Sequence, residues 1–231
     1  MTPLLSASFL ESGALGLLLQ GGIFMWPILF LGILAVGVII ERWRSLKILD
    51  TRADRLREEV LADLAEGQID DAIETCDNAR GPVAAVLGNG LRKYLVLDEL
   101  GYEPQRIEEQ VTKSMEAYGV HVVAALERHL PLLATVSSVA PMLGFLGTVQ
   151  GMIVSFANIV ETMGKVNIVE AAASGIQTAL LTTCFGLIVG IPAYMAFNYF
   201  MSVINSFVLE VEQSSAELIE AVSLQLTLNK R

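Results

Sequence analysis

Three stretches of this chain carry no Asp, Glu, Lys or Arg: Ser12 to Ile40 (29 residues), His129 to Val160 (32) and Ala171 to Leu209 (39). A helix rising 1.5 Å per residue needs about 20 consecutive apolar residues to cross the hydrocarbon core of a bilayer. Each stretch exceeds that length. Because lipid offers no partner to backbone N–H and C=O groups, a lone apolar segment crosses it as a helix. The expectation is an all-α membrane protein with three transmembrane helices, the second and third long enough to extend beyond the membrane or to pack on neighbours. Composition agrees: 53% of residues are apolar and 17% are charged, against roughly 25% charged in an ordinary soluble domain. No basic residue precedes the first stretch and Arg42 follows it, the pattern of an uncleaved span rather than a secretory signal.

Basic residues give the expected orientation, since Lys and Arg near membrane segments stay on the cytoplasmic side. Twelve of the 15 lie between Glu41 and Arg128, Lys230 and Arg231 end the chain, and only Lys165 falls between the second and third stretches. This predicts an external N-terminus, a large cytoplasmic insertion, a short external loop and a cytoplasmic C-terminus. The net charge of -10 sits mainly in the insertion and in Glu210, Glu212, Glu217 and Glu220. Without a basic stripe to meet phosphates, nucleic acid is not an expected partner. Two cysteines, Cys76 and Cys184, imply no disulfide framework and read as inert small hydrophobes.

The expected segments follow. Residues 1–22 form an N-terminal interfacial helix, ended by Gly21 and Gly22. Residues 23–43 form the first span, with Trp26 at headgroup level where aromatic rings collect. Residues 44–125 form a helical cytoplasmic domain. The second span is 126–157, the external loop 158–170, the third span 171–203 and a C-terminal cytoplasmic helix 204–231. Within the insertion Leu56, Val60 and Leu64 recur every four residues, and Ile69, Ile73 and Cys76 recur at four and three. Gly67, Gly81 with Pro82, and Gly101 with Pro104 divide it into short helices. From Gln105 a helix with Val111, Met115, Tyr118, Val122 and Leu126 on one face is expected to run on into the second span and couple the two rigidly.

The second span is dense in small and polar residues. Gly144, Gly147 and Gly151, at spacings of three and four, share a face that admits close approach of another helix. They serve helix packing or line a path, and Thr148 lies on their side. The third span repeats the pattern with Thr178, Thr182, Thr183, Gly186 and Gly190. A threonine can return its hydroxyl to its own helix, so depth is the stronger argument. Thr148 lies 12 residues before the end of its stretch at Val160, and Thr183 lies 12 after the start of its own at Ala171. Pro141 and Pro192 remove backbone donors and can kink their helices. His121 and His129, near the cytoplasmic boundary, read as interfacial packing, with proton relay as the alternative. None of the three stretches holds an Asp, Glu, Lys or Arg, although a protein that moves ions keeps such costly groups for that purpose. An ion-moving chain of this kind therefore takes its carboxylate from another chain. Paired metal-ligand motifs, phosphate loops and nucleophile elbows are absent from the sequence, so an enzyme and a metal or organic cofactor are not expected.

The segments LATVSSVAPMLGFLGTVQGMIVS (Leu133 to Ser155) and GIQTALLTTCFGLIVGIPA (Gly175 to Ala193) resemble the MotA/TolQ/ExbB proton-channel family. The run GGIFMWPILFLGILAVGVIIERW is similar to ExbB-type first helices, and three spans rather than four favour the ExbB/TolQ branch. The resemblance implies a homopentamer in the bacterial inner membrane whose second and third helices surround a pore. Within it lie the single-span helices of an ExbD/TolR-like partner dimer, whose aspartate carries the ion. It also implies that Thr148 and Thr183 are the pore-facing hydroxyls, with Thr178 and Thr182 as weaker members of the ion pathway. Gradient-driven flow would then do work on a TonB-like periplasmic protein, in outer-membrane transport or in a TolQ-like role in envelope maintenance. Several ExbB and TolQ proteins have glutamate where this chain has Thr178. A hydroxyl there is compatible with sodium as well as with proton translocation, since hard cations favour oxygen ligands. Two readings of other classes remain beside it: a non-conducting membrane scaffold, and a self-contained transporter, which the lack of paired repeat halves disfavours.

Overall fold

A computed structural model describes residues 13–49, 53–161 and 168–228. These form eight helices and no strand: α1 (Gly13–Gln20), α2 (Met25–Leu49), α3 (Ala53–Ala65), α4 (Ile69–Asn78), α5 (Pro82–Glu99), α6 (Pro104–Glu127), α7 (Leu130–Glu161) and α8 (Ile168–Leu228). Three of them, over Met25–Lys47, Leu130–Glu161 and Ala172–Leu226, are long and apolar enough to cross a membrane. The molecule is an all-α membrane protein, as the three charge-free stretches require. Residues 1–12 of the expected N-terminal helix, residues 162–167 of the expected loop with Lys165, and Lys230 with Arg231 lie outside the described residues.

The chain folds as two compact units, one of residues 1–41 and 129–199, the other of residues 42–128 and 200–231. The second unit contains the helical insertion. Its short helices end where the glycines said they would: Gly67, Gly81 and Gly101 all have positive φ, a conformation that costs glycine nothing and other residues a good deal. Pro82 and Pro104 open α5 and α6 at positions whose N–H has no helical partner in any case. The four-residue rows converge on one core, in which Val60, Leu64, Leu87, Leu91, Tyr94, Ile107 and Val111 are fully buried. Leu56 and Cys76 are buried as well, with Ile69 and Ile73 packed on the margin.

The last part of α8 belongs to this core. Leu218, Val222 and Leu226, four residues apart, are buried in it, and Arg57 of α3 pairs with Glu217 at 3.0 Å. The tail is therefore part of the insertion's fold and not a free extension. Tyr118, expected on the buried face of α6, is exposed, while Met115 and Leu126 beside it are buried. Arg42 is 5% exposed and donates to the Leu126 carbonyl at 2.8 Å. That oxygen belongs to the last turn of α6 and has no helical donor, so the guanidinium caps the helix at its negative end. Burial, reinforced by Asp77, pushes the Cys76 thiol up to about 11, which fits the inert role its sequence position suggested.

One expectation fails. The helix from Gln105 does not run unbroken into the second span: α6 ends at Glu127, Arg128 and His129 form a turn, and α7 begins at Leu130. Pro131 supplies the reason. It has no N–H to offer the carbonyl four residues back, and it is accepted at the start of a new helix where that donor is not needed.

Candidate functional site

The unit of residues 1–41 and 129–199 contains α1, most of α2, α7 and the first half of α8. Helices α7 and α8 run antiparallel along a seam of small residues. A Cβ placed on Gly144 would lie 3.0 Å from the Thr182 carbonyl oxygen and 3.1 Å from the Thr183 Cα. One on Gly186 would lie 2.7 Å from the Ala140 carbonyl oxygen. Gly151 and Gly175 meet in the same way, since a Cβ on either would lie 2.6 Å from the other's carbonyl oxygen, and Gly190 faces Pro141 and the Ser137 carbonyl. Such distances exclude any side chain. In lipid, where apolar surface alone gives helices no reason to associate, close backbone approach supplies the dispersion contacts that hold them. Ser155 completes the seam by donating its hydroxyl to the Ala172 carbonyl at 3.1 Å.

Gly144, Gly147, Gly151 and Gly186 thus all lie in the α7–α8 contact. Pro141 is inside α7 and packs on Gly190, while Pro192 lies inside α8 with its side chain exposed. Because Gly144 faces Gly186, Gly147 faces Thr182 and Gly151 faces Ala179, the residue after Gly147 is level with Thr182 and Thr183. That residue is Thr148. The two hydroxyls singled out by their depth share one level across the seam.

The four threonines have distinct surroundings. Thr182 is 1% exposed, wedged against Gly147, and returns its hydroxyl to the Thr178 and Ala179 carbonyls of its own helix. Thr183 lies at the edge of the seam and donates across it to the Gly144 carbonyl at 3.1 Å. Thr148 is half-buried and donates to the Phe145 carbonyl at 2.6 Å. Thr178 is on another side of α8, where it donates to the Gln20 carbonyl at 2.9 Å and to the Ser174 carbonyl at 3.1 Å. The seam therefore groups Thr148, Thr182 and Thr183, and Thr178 stands with α1.

A hydroxyl has one proton to donate and two lone pairs. Thr148 and Thr183 spend their protons on backbone carbonyls, which leaves acceptor oxygen to offer a visitor. Such oxygens can receive a hydrogen bond from a protonated carboxyl or contribute to a cation's shell, and they do not titrate. No group of three His, Cys, Asp or Glu side chains among the described residues could hold a metal ion.

Sequence reasoning missed three features. The small-residue row of α7 continues from Gly151 to Ser155, a signal present in the four-residue spacing but unread. His129 packs against Glu41 at 3.0 Å through its Nδ1, a pairing that periodicity cannot disclose because the two residues are 88 apart. Gln177 donates its carboxamide N–H to the Gln20 side-chain oxygen at 3.0 Å, which joins α1 to α8.

Comparisons with known proteins converge. Residues 78–213, more than half of the chain, match the model of the MotA/TolQ/ExbB proton channel family. An ExbB-like biopolymer transport protein of Synechocystis is 33% identical over 189 residues, 80% of this chain and 69% of that one. Biopolymer transport protein ExbB of Pseudomonas putida is 32% identical over 176 residues, 74% of this chain. The match spans about half, 51%, of that relative's length. TolQ of Pseudomonas aeruginosa, a Tol-Pal system protein, is 37% identical over 100 residues, 43% of this chain and 42% of that protein. These relatives are channel-type transport subunits and not enzymes. With its apolar spanning helices and its glycine seam inside the matched segment, the chain is a multi-pass membrane protein that belongs to the MotA/TolQ/ExbB proton channel family, on its ExbB/TolQ side.

Proposed function

We propose that this chain is the pore-forming subunit of a proton-driven motor in a bacterial inner membrane, with its N-terminus periplasmic and its C-terminus cytoplasmic. Five copies surround the single-span helices of an ExbD/TolR-like partner dimer. An aspartate of that partner carries the proton past the hydroxyl oxygens of Thr148 and Thr183, and the movement of the partner does work on a TonB-like periplasmic protein. Membrane lipid covers the outer faces of the spans.

One observation carries this reading. Two hydroxyl oxygens stand at one level of a helix pair whose stretches 130–160 and 171–209 hold no Asp, Glu, Lys or Arg. Ion coupling in the bilayer calls for an ionisable group, so the acidic side chain comes from a partner, and these oxygens can accept its proton-bearing oxygen as a hydrogen-bond donor. Thr182, closed into the seam, supports the pair mechanically. The proton is the coupling ion in this account, so removal of sodium should leave activity unchanged.

The test is substitution in cells that carry the partner. Thr148→Val and Thr183→Val should each abolish gradient-driven transduction while the subunits still assemble. Full activity in both variants would refute the assignment. The partial match to TolQ gives a second reading of the client: work on the cell envelope in place of outer-membrane transport. Complementation of deletion strains lacking each system separates the two.

A further inference from the structure

The double glycine after α1 and the hydroxyl of Thr178 both remain without a role in the proton path. They meet. Thr178 donates to the carbonyl oxygen of Gln20, the last residue of α1, and the neighbouring Gln177 donates to the Gln20 side chain. The last carbonyls of a helix have no donor of their own, and beside a bilayer they find few waters, so Thr178 satisfies a group that the turn would otherwise leave unpaired.

The turn is shaped for this contact. Gly22 has φ +73°, a left-handed conformation that a side chain would strain, and a Cβ there would lie 3.3 Å from the Thr178 methyl. A Cβ on Gly21 would collide with the Met25 side chain. Below the polar contacts Leu17, Met25 and Leu181 are buried together, with Leu18 and Phe185 packed against them. A backbone turn, two side-chain hydrogen bonds and an apolar patch therefore fasten the same two elements.

We propose that Thr178 is a positioning residue: with Gln177 it clips the Gln20–Gly22 turn to α8 and holds α1 as a static collar on that helix, outside the proton path. The clip uses a hydroxyl donor, so serine can replace threonine there and valine cannot.

Cross-linking in the full-length protein tests this. Cys184 is exposed and is replaced by alanine, and Cys76, buried, is left in place. Gln20→Cys and Gln177→Cys are then joined in intact membranes, with the partner protein present, by a short thiol-specific cross-linker, and proton flux is measured before and after. The cross-link should form readily, persist in Thr178→Ser, and form at least about fivefold less in Thr178→Val, as loss of one hydrogen bond to a carbonyl left unpaired implies. Flux should survive closure of the cross-link, because the collar does not move. Thr148→Val is the control that keeps the two proposals apart, since it should stop flux and leave cross-linking unchanged. An undiminished cross-link in Thr178→Val would overturn the proposal, as would flux that stops when the cross-link closes.

Discussion

At the α7–α8 seam the backbones of Gly144 and Gly186 approach each other with no room for a methyl group, whereas in the insertion the contacts are made by Leu64, Leu87, Leu91, Tyr94 and Ile107. Both regions are helical and both are tightly packed. The difference follows from the solvent around them. In water, burying a large apolar side chain contributes about 1.5–3 kcal/mol, so the insertion gathers the largest ones into one core. In a bilayer the same side chain gains little by leaving lipid, so the spans keep Phe145, Met142, Leu180 and Ile188 on the outside. They hold together through small residues that bring backbones close. A seam of that kind also sets hydroxyls beside close-packed backbone, which suits a path lined by acceptors.

The comparison can be broken most severely by Leu91→Ala. Leu91 is fully buried in the insertion core, and deleting its side chain should cost about 2–5 kcal/mol in denaturant unfolding of that unit. The α7–α8 seam should keep its packing, measured by cross-linking of cysteines placed at Ser155 and Ala172, which face each other across it. Loss of that cross-link would mean that the spans depend on the core and are not held by their own contacts.

Burial in the insertion also predicts a window of pH. The Cys76 thiol is raised from an ordinary value of 9.0 to about 11, chiefly by burial and then by Asp77. As pH climbs through this range the unfolded chain gives up its thiol proton while the folded unit retains it. The folded state then binds more protons, and stability falls as pH rises, by up to about 3 kcal/mol. Unfolding of the wild type and of Cys76→Ala, followed from pH 8 upward, should show a steeper decline in the wild type. Parallel curves would remove Cys76 from the account.

The smallest effect sharpens the contrast further, because it places the same methyl group in both regions. At Gly186 the obstacle is the Ala140 backbone carbonyl, which cannot give way, and Gly186→Ala should destabilise by about 1–3 kcal/mol. At Gly90 the obstacle is the Met115 side chain, with Leu218 at 3.3 Å. Methionine adapts, and alanine gains about 1 kcal/mol in helix propensity, so Gly90→Ala should change stability by less than about 1 kcal/mol. Thermal unfolding of both variants decides it.

Much of this was legible in the chain. Charge-free length disclosed the spans, and Gly67, Gly81 and Gly101 marked the helix ends because a positive φ is a local property. The three-and-four spacing of Gly144, Gly147 and Gly151 disclosed a contact face. What spacing did not disclose was which helix fills that face, because the partner lies some 40 residues away: Thr183 bonds Gly144 across 39 positions. The same limit hid the capture of Thr178 by Gln20 across 158 positions and the return of Leu218, Val222 and Leu226 to the insertion core. The break at Arg128 and His129 was legible in Pro131, and the apolar periodicity on both sides outweighed it.

The central claim is that hydroxyl oxygens of Thr148 and Thr183 form one level of a proton path. Proton flux into liposomes containing the purified subunit with its single-span partner tests it most directly, with wild type, Thr183→Ser and Thr183→Val compared at equal incorporation. The account predicts near wild-type flux in the serine variant, which keeps the oxygen, and loss of at least about tenfold in the valine variant, equivalent to about 1.4 kcal/mol in the barrier. Equal flux in the valine variant and the wild type would contradict it.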